Sequence, residues 1–139
     1  MFPHSPWIYP MPRCALAALL VVQLLALAAP AAAQMQRNFP ATALRGELLV
    51  VQAPEALVNG QPARLAPGVR IRDANNLLVM SASLTQQRWA VNYTRDTLGL
   101  VLDVWLLTPS EGARQPWPTT PAQAAAWAFN ADSQTWSRP

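Results

Sequence analysis

From residue 46 onward the chain alternates short apolar runs with turn residues, and the spacing is that of β-structure. Glu47-Leu-Leu-Val-Val-Gln52 is rich in strand formers and is bounded by Gly46 and Pro54. Glu55-Ala-Leu-Val58 runs into Asn59-Gly60, and Gln61-Pro-Ala-Arg-Leu65 leaves it. Asn-Gly between apolar runs predicts a tight hairpin, because both turn centres need positive φ. Pro62 has no N–H for a ladder and is expected on an edge or at a bulge. Pro67-Gly68 reads as a further turn. In Val69-Arg-Ile-Arg-Asp73 the period of two puts Val69 and Ile71 on one face and Arg70 and Arg72 on the other.

Asp73-Ala-Asn-Asn76 is a loop, and Leu77–Leu84 is apolar, read as a strand with a helical turn as the alternative. After Gln86-Gln87, the segment Arg88–Thr94 places Trp89, Val91 and Tyr93 together. Asp96–Gly99 turns the chain into Leu100–Thr108, whose even positions (Leu100, Leu102, Val104, Leu106) are uniformly apolar. Its odd positions, including Val101 and Trp105, are mixed and read as outward. Short strands at this spacing predict a mainly β fold, a small five- to six-stranded barrel over residues 46–108.

The flanks break this pattern. Residues 34–45 form a polar, irregular lead-in. Residues 109–139 are rich in Pro, Ala and Trp, and read equally as disorder or as a docked tail. Within the tail, Thr120-Pro-Ala-Gln123 is a capping box with Pro at the first helical position, which predicts a short helix over 121–129. A helix that short needs a docking surface. Trp127 and Phe129 are the side chains expected to supply it, with Trp105 and Val101 as receivers.

The N-terminal stretch is of another kind. Cys14–Ala29 is apolar apart from Gln23, follows Arg13, and ends in Pro30-Ala-Ala-Ala33. A basic start, an apolar middle and small residues at Ala31 and Ala33 are the parts of a cleaved secretory signal, here residues 1–33. The apolar run is shorter than the roughly 20 residues a membrane span needs, so no membrane anchor is expected after cleavage. Met11-Pro-Arg13 is itself a conventional start, and both starts lead to the same product.

Composition now changes the functional picture. The single His (His4) and single Cys (Cys14) leave with the signal, and all ten basic residues are Arg. The exported chain keeps nine Arg against seven carboxylates. Without His, Cys or Lys, the usual base for a Ser or Cys nucleophile is missing, and so are transition-metal ligands. Ser81, Ser83 and Ser110 read as ordinary hydroxyls. Asp73-Ala-Asn-Asn76 lacks the distal Glu of a calcium loop. Glu47, Glu55, Asp73, Asp96 and Asp103 are scattered, with no reason to converge as a hydrolytic pair. No catalytic residue, metal or cofactor is expected. The small charge excess and the export signal argue against nucleic acid. The Arg, Ala and Pro bias is that of a GC-rich bacterial genome, which makes the periplasm, or secretion, the expected destination.

The remaining candidates are binding residues. Arg70 and Arg72, with Arg64 and Arg88 on neighbouring strands, could face an anionic partner; solvated strand-face charges are the plainer alternative. Trp89 and Tyr93 read as core before they read as a stacking platform. Asn92-Tyr-Thr94 matches a glycosylation sequon by chance.

Gly46-Glu-Leu-Leu-Val50, Val58-Asn-Gly60, Leu65-x-Pro-Gly-Val-Arg-Ile71, Leu84-x4-Trp89-x-Val91 and Gly99-x-Val-x-x-Val-Trp-Leu-Leu107 together resemble the layout of uncharacterised small secreted proteobacterial proteins with an OB-like barrel. The resemblance covers residues 46–107. It implies a compact OB-like or SH3-like barrel and an envelope location, and it brings no catalytic residues. The sequence thus points to a non-enzymatic binding or accessory module for an envelope component, a protein or an anionic glycan or lipid. An assembly factor recognised through its tail is the alternative.

Overall fold

The Asn59-Gly60 hairpin is where sequence and backbone meet most directly. Asn59 and Gly60 have φ of 53° and 76°, and Val58 pairs with Gln61 across the turn. The computed structural model describes residues 2–4 and 36–139, and residues 35–139 form one compact unit. The expected signal peptide, with Ala31 and Ala33, lies outside the described residues apart from positions 2–4. No helix among the described residues is long and apolar enough to cross a membrane.

The fold is mainly β. Six strands, β1 (Leu44–Gln52), β2 (Glu55–Val58), β3 (Gln61–Arg72), β4 (Leu78–Val79), β5 (Arg88–Arg95) and β6 (Val101–Leu106), form one mixed sheet. Its order is β2-β1-β5-β6-β3-β4, and β2 also pairs with β3. Hydrogen bonds therefore run in a ring through β1, β2, β3, β6 and β5, with β4 as a short flap on β3. All neighbours are antiparallel except β3 and β6, which are parallel. Irregularities between Leu65 and Arg70 and at two other pairings keep the ring from being a clean barrel.

The apolar interior is built by alternation: Leu44, Leu48 and Val50 from β1 meet Val91 and Tyr93 from β5 and Ile71 from β3. Trp89 packs against this cluster as a partly buried neighbour. Gly46 sits where a Cβ would lie 3.0 Å from the Tyr93 ring and 3.1 Å from the Asn59 side chain. That close approach lets Asn59 Oδ1 accept the Glu47 N–H at 2.9 Å and lock the hairpin against β1.

Four expectations are corrected. Pro67-Gly68 does not turn the chain; β3 runs through it, and the pair marks the irregularity opposite β6. Leu77–Leu84 is not one strand but two residues of β4 followed by a 3-10 turn at Ser81–Leu84. The apolar face of β6 follows its even positions only at Val104 and Leu106; Leu100 and Leu102 are half-buried. Tyr93 pairs with Val104 and Arg95 with Val101, two steps against three, so a bulge brings Val101 inward beside Val104 and Leu106. The helix expected over 121–129 stops at Ala126: α2 spans Pro121–Ala126, and Trp127 is extended (φ −92°, ψ 157°). Phe129 instead sits in β7 (Ala128–Asn130), paired with Trp136 of β8 (Thr135–Ser137), their rings 4.8 Å apart. Burying two large rings outweighs the few tenths of a kcal/mol per residue that helix propensity offers.

The tail is packed, not loose. Arg45, Asn92 and Trp105 are directly paired across β1, β5 and β6. Phe39, Ala43, Trp105, Trp117 and Trp136 make a second apolar cluster, against which Trp127 and Phe129 pack. The Trp117 indole N–H donates to Ala43 O, and Phe39 meets Trp105 and Trp117 edge-on. Gln134, almost fully buried, accepts the Phe39 N–H and so ties the tail hairpin to the lead-in.

Candidate functional site

The four arginines expected to face a partner, Arg64, Arg70, Arg72 and Arg88, each have a carboxylate within 4.0 Å. Arg70 grips Asp103 bidentately at 2.7 and 2.9 Å, a contact set by their pairing in the parallel β3–β6 register. Arg72 shares Asp103 at 3.5 Å and lies over the Trp105 ring. The Asp103 contact, chiefly its hydrogen bond, raises the Arg70 pKa above its ordinary value. Arg64 faces Glu55 directly across β2–β3, 3.2 Å apart. Arg88 reaches Glu47 at 2.6 Å between β5 and β1. Exposed pairs of this sort contribute little stability, but they cancel most of the charge an anion would seek; one positive charge is left where Arg70 and Arg72 share Asp103. The four residues therefore stand as three separate ion-paired groups.

The apolar docking candidates Trp105, Trp127 and Phe129 do come together, in the second cluster. Val101 does not join them; it is fully buried in the first. Asn92 of the sequon has no exposed surface, and its Oδ1 accepts from Arg45 Nε, so the amide is sealed inside the fold.

The carboxylates are committed one by one. Besides the pairs above, Asp73 Oδ1 accepts the N–H groups of Asn75 and Leu77, and Asp96 Oδ1 those of Leu98 and Leu100, which fixes two turns. Glu111 is buried against Arg37, Nε–Oε1 2.9 Å and Nη2–Oε2 2.5 Å. Arg37 also donates to the carbonyls of Asp73 and Leu106. Burial pushes the Glu111 carboxyl up, but the Arg37 guanidinium and the Thr108 N–H and hydroxyl outweigh it and hold its pKa below the ordinary value. Among the described residues, Asp132 on the β7–β8 turn is left as an exposed carboxylate without such a role. No group of three or more His, Cys, Asp or Glu there could hold a metal.

The Arg37–Glu111 pair was not anticipated, yet it had a sequence signal. Thr108-Pro-Ser-Glu111 is a capping box closed in both directions over the single turn α1 (Pro109–Gly112), whereas at Thr120 only the hydroxyl accepts the Gln123 N–H and the Gln123 side chain turns to Thr119. Beside α1, the half-buried Arg45 donates to the carbonyls of Glu111, Gly112 and Arg114 and lies over the Trp117 ring at 5.1 Å. Burial lowers its pKa, the Glu111 charge opposes that, and the Arg114 charge adds to it.

Two further surface features stand out among the described residues. Leu77, Leu78 and Met80 are exposed on and beside the edge strand β4. An open depression is lined by Gln115, Pro116, Trp136, Ser137 and Arg138. No protein-family model, no curated protein and no solved structure matches this chain.

Proposed function

We propose that the chain is an exported, non-enzymatic accessory module of the bacterial envelope that acts by binding. The observation that carries this reading is the commitment of its carboxylates. Glu47, Glu55, Asp103 and Glu111 are held by arginines, and Asp73 and Asp96 by turn N–H groups. With no Lys in the sequence, and with its only His and Cys in the expected signal, general acid–base work would fall to Asp132 alone. Export rests on the three-part N-terminal signal. The OB-like reading draws support from the ring order β1-β2-β3-β6-β5 and the parallel β3–β6 pairing. Barrels of that kind commonly present ligand sites on their surface. Recognition through a free tail has less support, because Trp117 and Trp136 are spent on packing.

The test has two parts. The full chain is expressed in a Gram-negative host, and the periplasmic fraction is analysed by intact mass; a product beginning at Gln34 is expected, and an uncleaved cytoplasmic chain would refute export. Purified protein is then incubated with washed envelopes. Saturable retention that persists in Asp132→Asn is expected. Absence of any retention would remove the binding reading.

A further inference from the structure

The six-stranded sheet keeps one strand outside its ring of hydrogen bonds. β4 ends the strand order and pairs only with β3. Among the described residues 36–139, five large apolar side chains are exposed: Val51, Leu77, Leu78, Met80 and Leu98. Three of them fall within four residues at this edge, where Leu77, Leu78 and Met80 keep 63%, 67% and 78% of their surface in solvent. Val79 between them faces the other way and packs on the first core. Exposed apolar side chains gathered on one segment mark an interaction surface, which scattered single residues do not.

Charge on the same face is a separate observation. Leu78 stands directly opposite Arg72 in the β3–β4 register, so the two side chains share a face. Met80 has extended backbone (φ −79°, ψ 140°) and follows Leu78 at the strand period, so it projects to that face too. Arg70 lies two residues before Arg72 on it, and both guanidinium groups share the single carboxylate of Asp103. The face therefore carries one net positive charge beside two exposed apolar side chains. The Arg70 side chain is half exposed, and its guanidinium has donors beyond the two N–H groups spent on Asp103.

We propose that this face of β3 and β4 docks on an anionic phospholipid bilayer, with Leu78 and Met80 entering the acyl boundary and Arg70 and Arg72 meeting headgroup phosphates. Apolar side chains beside a basic group bind an anionic membrane surface, the first through buried area and the second through attraction to the headgroups. The planar fork of Arg suits phosphate oxygens, and its stem lies along apolar surface while the charged head stays with the headgroups. A protein strand adding to the edge is the poorer occupant, because β4 offers only the two residues Leu78–Val79 as a ladder. Leu77 and Leu78 also project to opposite sides of the strand, so a shaped partner would need a wall on each. A fluid apolar phase needs none. The inference rests on the binding reading above and names the partner of that binding.

The test uses protein purified from cells expressing the full chain, sedimented with phosphatidylglycerol vesicles and, separately, with phosphatidylcholine vesicles. Saturable binding to the first is expected, about fivefold weaker on the second, the worth of one basic charge at an anionic surface. Arg70→Gln should lower phosphatidylglycerol binding by the same factor of about five. Arg64→Gln, which removes the same net charge elsewhere, should leave it unchanged. Leu78→Ser/Met80→Ser should lower binding to both vesicles by about tenfold or more, since two apolar side chains no longer leave water. Urea midpoints of all variants are measured alongside to show that each is folded. Absence of vesicle binding by the wild type, or equal binding by a folded Leu78→Ser/Met80→Ser variant, overturns the site. Envelope retention that is lost in that variant without any vesicle binding assigns the face to a protein and overturns the lipid partner. Envelope retention unchanged in the variant leaves the binding reading standing and removes only this face from it.

Discussion

Replacing Arg37 by Met removes a guanidinium that makes four hydrogen bonds, two to Glu111 and one each to the carbonyls of Asp73 and Leu106. Both members of the pair are about 95% buried, so Glu111 would be left charged and unpaired inside the protein. Removing one partner of a buried pair costs roughly 3–5 kcal/mol, against a total stability of about 5–15 kcal/mol for a domain of this size. With a urea slope of about 1–1.5 kcal/mol/M, the midpoint should fall by about 3 M. The assay is urea unfolding followed by tryptophan fluorescence, which the buried Trp105, Trp117 and Trp136 report. The double variant Arg37→Met/Glu111→Leu removes the stranded charge and should recover about half of the loss. The pH dependence supplies a second reading. In the wild type the folded pKa of Glu111 lies below its ordinary value near 4.5. The folded state then binds fewer protons in that window, so stability is complete above it and is lost as pH falls through the folded value. In Arg37→Met only the Thr108 N–H and hydroxyl still oppose burial, so the folded pKa rises from its wild-type value and this acid-side contribution shrinks. A loss below about 1 kcal/mol, or a double variant no more stable than the single one, would refute the reasoning.

Gly46→Ala should cost about 1–2 kcal/mol in the same assay, since the new Cβ meets Tyr93 and Asn59 at 3.0–3.1 Å in a packed site. Deleting residues 109–139 should abolish cooperative unfolding, because it strips Trp117 and Trp136 from the second cluster and Glu111 from Arg37; a truncated protein with an unchanged midpoint would contradict that packing. Leu78→Lys on the edge strand should change stability by no more than about 0.5 kcal/mol, as its side chain is largely exposed; a larger loss in thermal melts would mean it packs more than its exposure indicates.

The strands were legible before the structure because their signals are local. Asn59-Gly60 needs positive φ whatever surrounds it, and Val91 and Tyr93 alternate with polar neighbours at a period of two. The faces of β6 were not legible, since the bulge that turns Val101 inward arises from pairing with β5 and leaves no mark on the β6 sequence. The same limit applies to the arginines. Their number and the absence of Lys can be counted along the chain, and that count shaped the functional reading. Which of them carry unspent charge depends on partners 9 to 74 residues away: Arg64 on Glu55, Arg37 on Glu111. Residue types and periods are local properties of a chain, and they decide the elements. Salt bridges, orphaned donors and packed tails are made by groups distant in sequence, so only the folded arrangement showed that Arg70 and Arg72 share Asp103 and that the tail packs on Trp105.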